Sequence, residues 1–210
     1  MDKKRLAIIQ ERLSNDIHRG RDKRDFSPFD IYQFVDGDKK EAFLEEENEE
    51  ANATSQDVVG LLLSAKKSIM IFAGNLSWSI MTQGGIRLLD ILEEVANKGV
   101  KIQIVCGIHL PAIENVERVI ELNKKLKNKI EIRHAFQPLR AVIVDEKVMR
   151  LKEIKNPSKE NPRYRKTFIF YSVYDPTWVR WMQKVFKEYF NSGDYAEARI
   201  RELKKIQKVK

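Results

Sequence analysis

Apolar residues recur along the chain in two patterns, short continuous runs and stripes at helical spacing. The runs at 68–74 and 100–106 are bounded by polar residues, and each predicts a buried strand. Between them, Ile86 to Lys98 carries apolar residues at helical spacing, and Gly99 follows where a left-handed helix end is expected. This strand, helix, strand order predicts a right-handed crossover in a parallel sheet.

The second half of the chain predicts more strands between helices. Helices are expected at 58–67 and from Pro111 to about Lys127, and Asp175 with Pro176 predicts the start of an aromatic-rich helix that ends at 191–193. Strand candidates lie at 130–136, 140–145, 148–152 and 167–173, with a tight turn at 145–147 between the second and third. Residues 54–193 therefore predict one α/β domain, whose mixed, largely parallel sheet is flanked by helices.

Two outer segments flank this domain. Residues 1–53 predict an N-terminal helical and acidic arm, with a helix at 2–19, an aromatic patch at 26–34 and an acidic helix at 39–51. The arm is short for a winged helix and contains no helix-turn-helix pattern. Residues 194–210 predict a charged C-terminal helix.

Charge is unevenly distributed along the sequence. The formal net charge is +8, which favours anionic partners such as nucleic acid or a phosphate-bearing ligand, although it also serves solubility. Residues 36–50 hold eight acids and two lysines, and residues 147–166 hold eight basic residues and two acids. These two segments are able to pair with each other, within one subunit or between subunits.

Cysteine usage and hydropathy limit the cellular setting. Cys106 is the single cysteine, so no internal disulfide is expected, and no apolar leader or membrane-spanning run is visible. A reducing, cytoplasmic setting is the simple interpretation. No metal-ligand spacing, nucleotide-binding glycine loop or cofactor motif is present, so neither a metal nor a cofactor is expected. The richness in Lys, Glu and Ile is typical of proteins from hot environments.

Three stretches, taken in order, resemble the half-domain of the phospholipase D superfamily over residues 56–193. They are SAKKSIMIFAGNLSW, LLDILEEVANKGVKIQIVCG and IEIRHAFQPLRAVIVDEKVMRL. The chain is also similar to the effector and dimerisation domain of TrmB-family archaeal regulators. This resemblance implies a phospholipase D-like fold, homodimerisation and, in active members, a His-x-Lys-x4-Asp signature.

The signature is degenerate in this sequence. Aligning the acid of AVIVDEK places Asp145 on the family aspartate, Arg140 on the lysine and Pro138 on the nucleophilic histidine. Proline has no nucleophile, so the covalent step cannot occur at that position. Arginine keeps a planar cation that can hold a phosphate or carboxylate, or it forms an ion pair with Asp145 or a nearby glutamate.

The candidate anion-binding residues are Arg140, Asp145, His109 and His134. His109 lies in a loop after a strand, where α/β ligands usually bind, or it is a neighbour of a helix start with no ligand. His134 is also interpreted as a polar group at a strand end, and Asp145 as a hairpin turn residue.

The predicted function is a catalytically inactive, regulatory phospholipase D-like module for dimerisation and for binding an anion or nucleic acid. The alternative is a divergent phosphodiesterase or nuclease that uses His109 or His134. The candidate nucleic-acid contacts lie in the basic segment and are Lys155, Lys159, Arg163, Tyr164, Arg165 and Lys166. No membrane partner is expected.

Overall fold

A computed structural model describes residues 2–46, 58–80, 82–83, 86–155 and 166–208. The strands are β1 Lys40–Glu46, β2 Ser68–Ala73, β3 Thr82–Gln83, β4 Ile86–Arg87, β5 Lys101–Cys106, β6 Glu131–His134, β7 Ala141–Val144, β8 Val148–Lys155, β9 Thr167–Val173 and β10 Asp194–Tyr195. The α-helices are α1 Lys3–Arg19, α2 Phe29–Tyr32, α3 Val58–Leu63, α4 Leu88–Asn97, α5 Ile113–Leu122, α6 Pro176–Ser192 and α7 Ala196–Lys208.

Within these ranges, eight strands form one mixed sheet in the order β1-β9-β8-β7-β2-β5-β6-β10, and β3 pairs with β4 in a separate hairpin. Strands β2, β5 and β6 are mutually parallel, while the other neighbours in the sheet are antiparallel. The mixed sheet flanked by helices confirms the predicted α/β fold class, but five of the seven neighbouring strand pairs among the described residues are antiparallel, so the sheet is not largely parallel as predicted. The crossover from β2 through α4 to β5 is present, and Gly99 has the predicted positive φ of 91°.

Two apolar cores lie on opposite faces of the sheet. One contains buried residues of α3, α4, α5 and α7, and the other contains those of α1, α2 and α6. The aromatic stripe of α6 is buried, as predicted for a core helix, and the Asp175 carboxylate caps that helix by accepting from the Thr177 and Trp178 N–H groups. Helices therefore pack on both faces of the sheet.

The N-terminal segment packs on the same sheet. Helix α1 forms as predicted and buries Leu13 and Ile17 in the second core. Of the aromatic patch that follows, Phe26 is buried, whereas Phe29 and Phe34 are largely exposed.

The acidic helix predicted for 39–51 is wrong over its described part. Residues Lys40–Glu46 form strand β1, which pairs antiparallel with β9 along its whole length. Phe43 stacks on Phe170 across this pair, with ring centroids 5.0 Å apart. Cross-strand packing therefore outweighs the helix propensity of Glu and Lys, and charged residues suit an edge strand. Residues 47–51 lie outside the described part of the chain.

Candidate anion site at the carboxyl edge of the sheet

Asp145 lies in the turn between β7 and β8 and anchors the start of β2. Its carboxylate accepts from the backbone N–H groups of Lys66, Lys67 and Ser68, at 3.1, 2.8 and 3.0 Å. Burial acts to raise the pKa of this carboxyl, but the three N–H donors outweigh it, and the pKa lies below its usual value. Its φ is 53°, which aspartate tolerates better than most residues.

Asp145 is therefore not part of an anion site, which corrects its assignment beside Arg140. The two residues lie at opposite ends of β7, which is roughly 13 Å of extended chain for four residues. The carboxylate is already engaged with backbone donors, so its role is structural. Its interpretation as a hairpin turn residue is confirmed by its position.

Pro138, at the position of the family nucleophile, is closed off by the N-terminal segment. The residue is buried, and Gly20 at the end of α1 packs directly on its ring. A Cβ added to Gly20 would lie 2.8 Å from Pro138 Cγ, which is closer than ordinary contact allows. This position is thus a buried proline covered by the end of α1.

Arg140 lies at the other end of β7, where β2 finishes at the carboxyl edge of the sheet. Its guanidinium covers Gly74, because a Cβ there would lie only 2.7 Å from Arg140 Nη2. Nη1 donates to the Leu139 carbonyl at 2.7 Å. Burial lowers the pKa of this guanidinium, against a raising influence of Asp22. Among the residues that the structure describes, no carboxylate forms an ion pair with Arg140, so the alternative of such a pair is not realised.

Two further cations share this face of the sheet. Lys152 on β8 lies opposite Arg140, and its N–H donates to the Arg140 carbonyl at 2.7 Å. Arg150 is two residues away on the same strand, and its Nε donates to Ser172 Oγ at 3.0 Å. The Lys152 ammonium lies 4.0 Å from the centre of the Phe168 ring. Strands β7 and β8 thus bring three cationic residues to one face of the sheet.

These cations border a cleft of about 570 Å³. Five cationic side chains and one carboxylate, Asp22, are found among its described lining residues; the cations are Arg21, Lys23, Arg140, Arg150 and Lys152. His109 is exposed and lines the same cleft, as does Phe136, which is 50% exposed. The structure thus brings Arg140 and His109 to one cleft, and the excess of cations suits an anionic ligand.

His134 does not belong to this cleft, which corrects its assignment as an anion-binding residue. It is buried at the end of β6, and its Nδ1 accepts from the Ile108 N–H at 2.9 Å. Burial lowers the pKa of the imidazole. Because the ring is buried and Nδ1 receives a backbone donor, His134 has a structural role in holding the loop after β5.

The described part of the predicted nucleic-acid segment is engaged with its own surroundings. Lys155 forms an ion pair of 2.5 Å with Glu153, whose carboxylate also accepts from Ser27 Oγ and the Tyr171 hydroxyl. Lys166 lies 5.2 Å from the centre of the Phe168 ring. The remaining candidates lie outside the described residues and stay predictions; they are Lys159, Arg163, Tyr164 and Arg165.

Sequence reasoning missed three contributors to the site. Gly74 leaves space for the guanidinium, Lys152 faces it, and the buried Gln137 fixes the strand entry by donating from Nε2 to the Ala73 carbonyl at 2.8 Å. A signal for Lys152 existed, because Arg150 and Lys152 share one face of a strand by the two-residue period. Gln137 carried no such signal.

Metal-binding and membrane-spanning features are absent from the described ranges. No three His, Cys, Asp or Glu side chains there cluster as a metal site. No helix in the same ranges is long and apolar enough to cross a membrane.

The comparisons with known proteins identify the fold. No family model matches the chain, and no curated protein matches it. Nuc from Salmonella typhimurium, a phospholipase D family member, is 15% identical with a TM-score of 0.51, over 75% of this chain and 98% of its own. NucT from Helicobacter pylori is 14% identical with a TM-score of 0.52, over 75% and 99%.

TrmBL2, an archaeal chromatin protein with a novel mode of DNA binding, is also similar. It is 16% identical with a TM-score of 0.50, and the match covers 74% of this chain and 55% of TrmBL2. The chain therefore has a phospholipase D-like fold, as predicted, and shares it with this DNA-binding protein.

Proposed function

We propose that this chain is a non-catalytic phospholipase D-like module that binds a small anion, a phosphate or carboxylate group, at Arg140. The observation that carries the proposal is the pairing of two features. Arg140 enters the cleft with no carboxylate partner among the described residues, whereas the nucleophile position is a buried proline packed under Gly20. A guanidinium offers a bidentate fork to an oxyanion, and proline offers no group for transfer.

The test is binding of inorganic phosphate by isothermal titration calorimetry. We expect saturable binding that Arg140→Met weakens at least 10-fold, in line with the loss of a charge-assisted contact of about 1.5–3 kcal/mol. Gly74→Ala is the matched variant, because its Cβ displaces the far end of the Arg140 side chain without changing any charge. Gly74→Ala should weaken phosphate binding, while its melting temperature should stay within a few degrees of that of the parent protein. Equal binding by all three proteins would contradict the proposal.

We also expect no phosphodiesterase turnover on lipid, DNA or generic diester substrates. The reason is Pro138 at the nucleophile position, together with the burial of His134, whose Nδ1 already accepts from the Ile108 N–H. The measurement is product release by pure protein in parallel with His109→Ala and His134→Ala variants. Turnover that disappears in either variant would support the divergent phosphodiesterase instead.

Dimerisation is part of the proposal. Phe29 and Leu44 are exposed on one side of the β1–β9 edge, where Leu44 pairs with Ile169 and Phe29 lies 6.4 Å from Tyr171 between ring centres. Exposed apolar side chains grouped in this way favour a protein partner. Light scattering should give twice the chain mass of 24.6 kDa, and Leu44→Asp should shift it towards the monomer.

Ile8→Asp is the control for that change, because Ile8 is equally exposed but lies on α1. It should leave the dimer intact. A single-chain mass for the parent protein over a wide concentration range would contradict dimerisation.

Nucleic-acid contact through the basic segment 147–166 is the second candidate function, supported by similarity to the DNA-binding TrmBL2. Glu46 at the end of β1 pairs with Thr167 of β9, and Thr167 pairs in turn with Lys155 of β8, so β9 lies between the acidic strand β1 and the basic segment. We expect weak binding to DNA at low salt that falls steeply as salt rises and strengthens in Glu45→Gln. A gel-shift series tests this, and no shift from either protein at low salt would leave only the small-anion role.

A further inference from the structure

The lining of the cleft at Arg140 also contains aliphatic side chains. Val142 lies on the floor of the cleft and is half-buried. It is two residues after Arg140 along the chain and therefore on the same face of the sheet. Leu62 of α3 and Leu88 of α4 line the facing wall. A ligand held by its anionic group at Arg140 therefore meets hydrocarbon at its other end.

A cationic side chain, that of Arg150, also lies at this inner end. Arg150 lies opposite Val142 across the β7–β8 ladder, but its Nε donates to Ser172 and its guanidinium lies 5.3 Å from the centre of the Phe43 ring, towards β1. A sugar or nucleobase placed beside Val142 would bury polar groups against Leu62 and Leu88, which is costly without partners. An aliphatic chain needs no such partners.

The cation cluster and the aliphatic wall together define the ligand class. We infer that the cleft binds a single-chain amphiphilic anion, whose carboxylate lies at Arg140 and whose aliphatic chain lies between Val142, Leu62 and Leu88. The inference rests on the proposed function, because it uses the same Arg140 site, and it adds the chemical nature of the ligand body. The cleft volume of about 570 Å³ is in the range of small-molecule sites.

The test is calorimetry with acetate, hexanoate, decanoate and decanol, each kept below its aggregation concentration at matched ionic strength. Each added methylene that enters the cleft should raise affinity about fourfold, so decanoate, with four more methylenes, should bind about 250-fold more tightly than hexanoate. Emission from Trp78, which also lines the cleft, should change with decanoate and far less with acetate. The fluorescence change should be absent in Trp78→Phe.

Two variants separate the ends of the site. Val142→Phe fills the aliphatic region, so decanoate should bind no more tightly than hexanoate while acetate is unaffected. Val142→Thr is the substitute if Val142→Phe does not fold. Threonine keeps the side-chain volume but adds a hydroxyl, so this variant should weaken decanoate binding several-fold. Arg140→Met should weaken all the carboxylates and leave decanol unchanged.

The outcomes distinguish this inference from the proposed function. If acetate and phosphate bind through Arg140 but affinity does not rise with chain length, the inference that the cleft binds an amphiphile is wrong, whereas the proposed anion site at Arg140 is supported. If no anion binds, both are wrong. Tighter binding of adenosine monophosphate than of decanoate would likewise overturn the amphiphile, since a polar ligand body would then be preferred.

Discussion

Replacing Asp145 with alanine is expected to lower the free energy of unfolding by about 3 kcal/mol, because three backbone donors lose a charged acceptor. The donors belong to Lys66, Lys67 and Ser68, at the point where the chain enters β2. Alanine also suits the positive φ of 53° less well, which adds about 1 kcal/mol. Urea unfolding followed by circular dichroism measures the change.

Asp145→Asn and Asp145→Gly separate the two contributions. Asparagine tolerates the same backbone and keeps one acceptor oxygen, so it should cost less than alanine; glycine relieves the backbone but loses every acceptor. If glycine restores full stability, the carboxylate contributes nothing and the account of this turn is wrong.

The effect of Asp145 should depend on pH. Its pKa in the folded protein is lowered, so its stabilisation is fully present above the unfolded pKa of about 3.9 and is lost as pH falls through the folded pKa. The stability difference between the parent and Asp145→Asn should therefore be constant near neutral pH and shrink in acid. A difference that grows below pH 4 would contradict the assignment.

Gly20→Ala is expected to destabilise the protein by about 1–2 kcal/mol, since overpacking outweighs the entropic gain of losing a glycine. Its Cβ would lie 2.8 Å from Pro138 Cγ, and Gly20 itself has an ordinary φ of −74°, so the cost comes from the contact. The proline ring cannot easily move, because Gln137 is held to the Ala73 carbonyl.

Two further proteins test this contact by thermal unfolding. Gly37→Ala is the matched control, because a Cβ there meets nothing within 4 Å, and it should be neutral or slightly stabilising. Pro138→Ala combined with Gly20→Ala should recover part of the loss, with a coupling of about 1 kcal/mol. Strict additivity would show that the N-terminal segment does not close the nucleophile position.

The sequence predicted those elements whose signals are local. Strand β2 is a short apolar run, α4 ends at Gly99 with the expected positive φ, and Asp175 caps α6. Each signal depends on neighbours within a few residues, so no tertiary information is needed. Strand β1 could not be predicted in this way, because its acidic residues favour a helix and only pairing with the distant β9 makes it a strand.

The candidate site was predictable only in part for the same reason. The motif alignment put Arg140 at the position of the family lysine and excluded Pro138 as a nucleophile. The space over Gly74 and the position of Lys152 could not be predicted, because they depend on strand register and on side-chain packing. His134 and His109 both follow strands and look alike in sequence. His134 is buried and accepts from the Ile108 N–H, so its role is structural. His109 is exposed and lines the cleft.

The central claim is that Arg140 binds an anion in a fold that no longer carries a nucleophile. Titration of the arginine Nε–H resonances with inorganic phosphate tests it most directly by nuclear magnetic resonance, with Arg140 assigned by the resonance missing from Arg140→Met. The Arg140 resonance is expected to respond first and saturably, and Gly74→Ala is expected to weaken this response. A phosphate response confined to other arginines, or none at all, would contradict it.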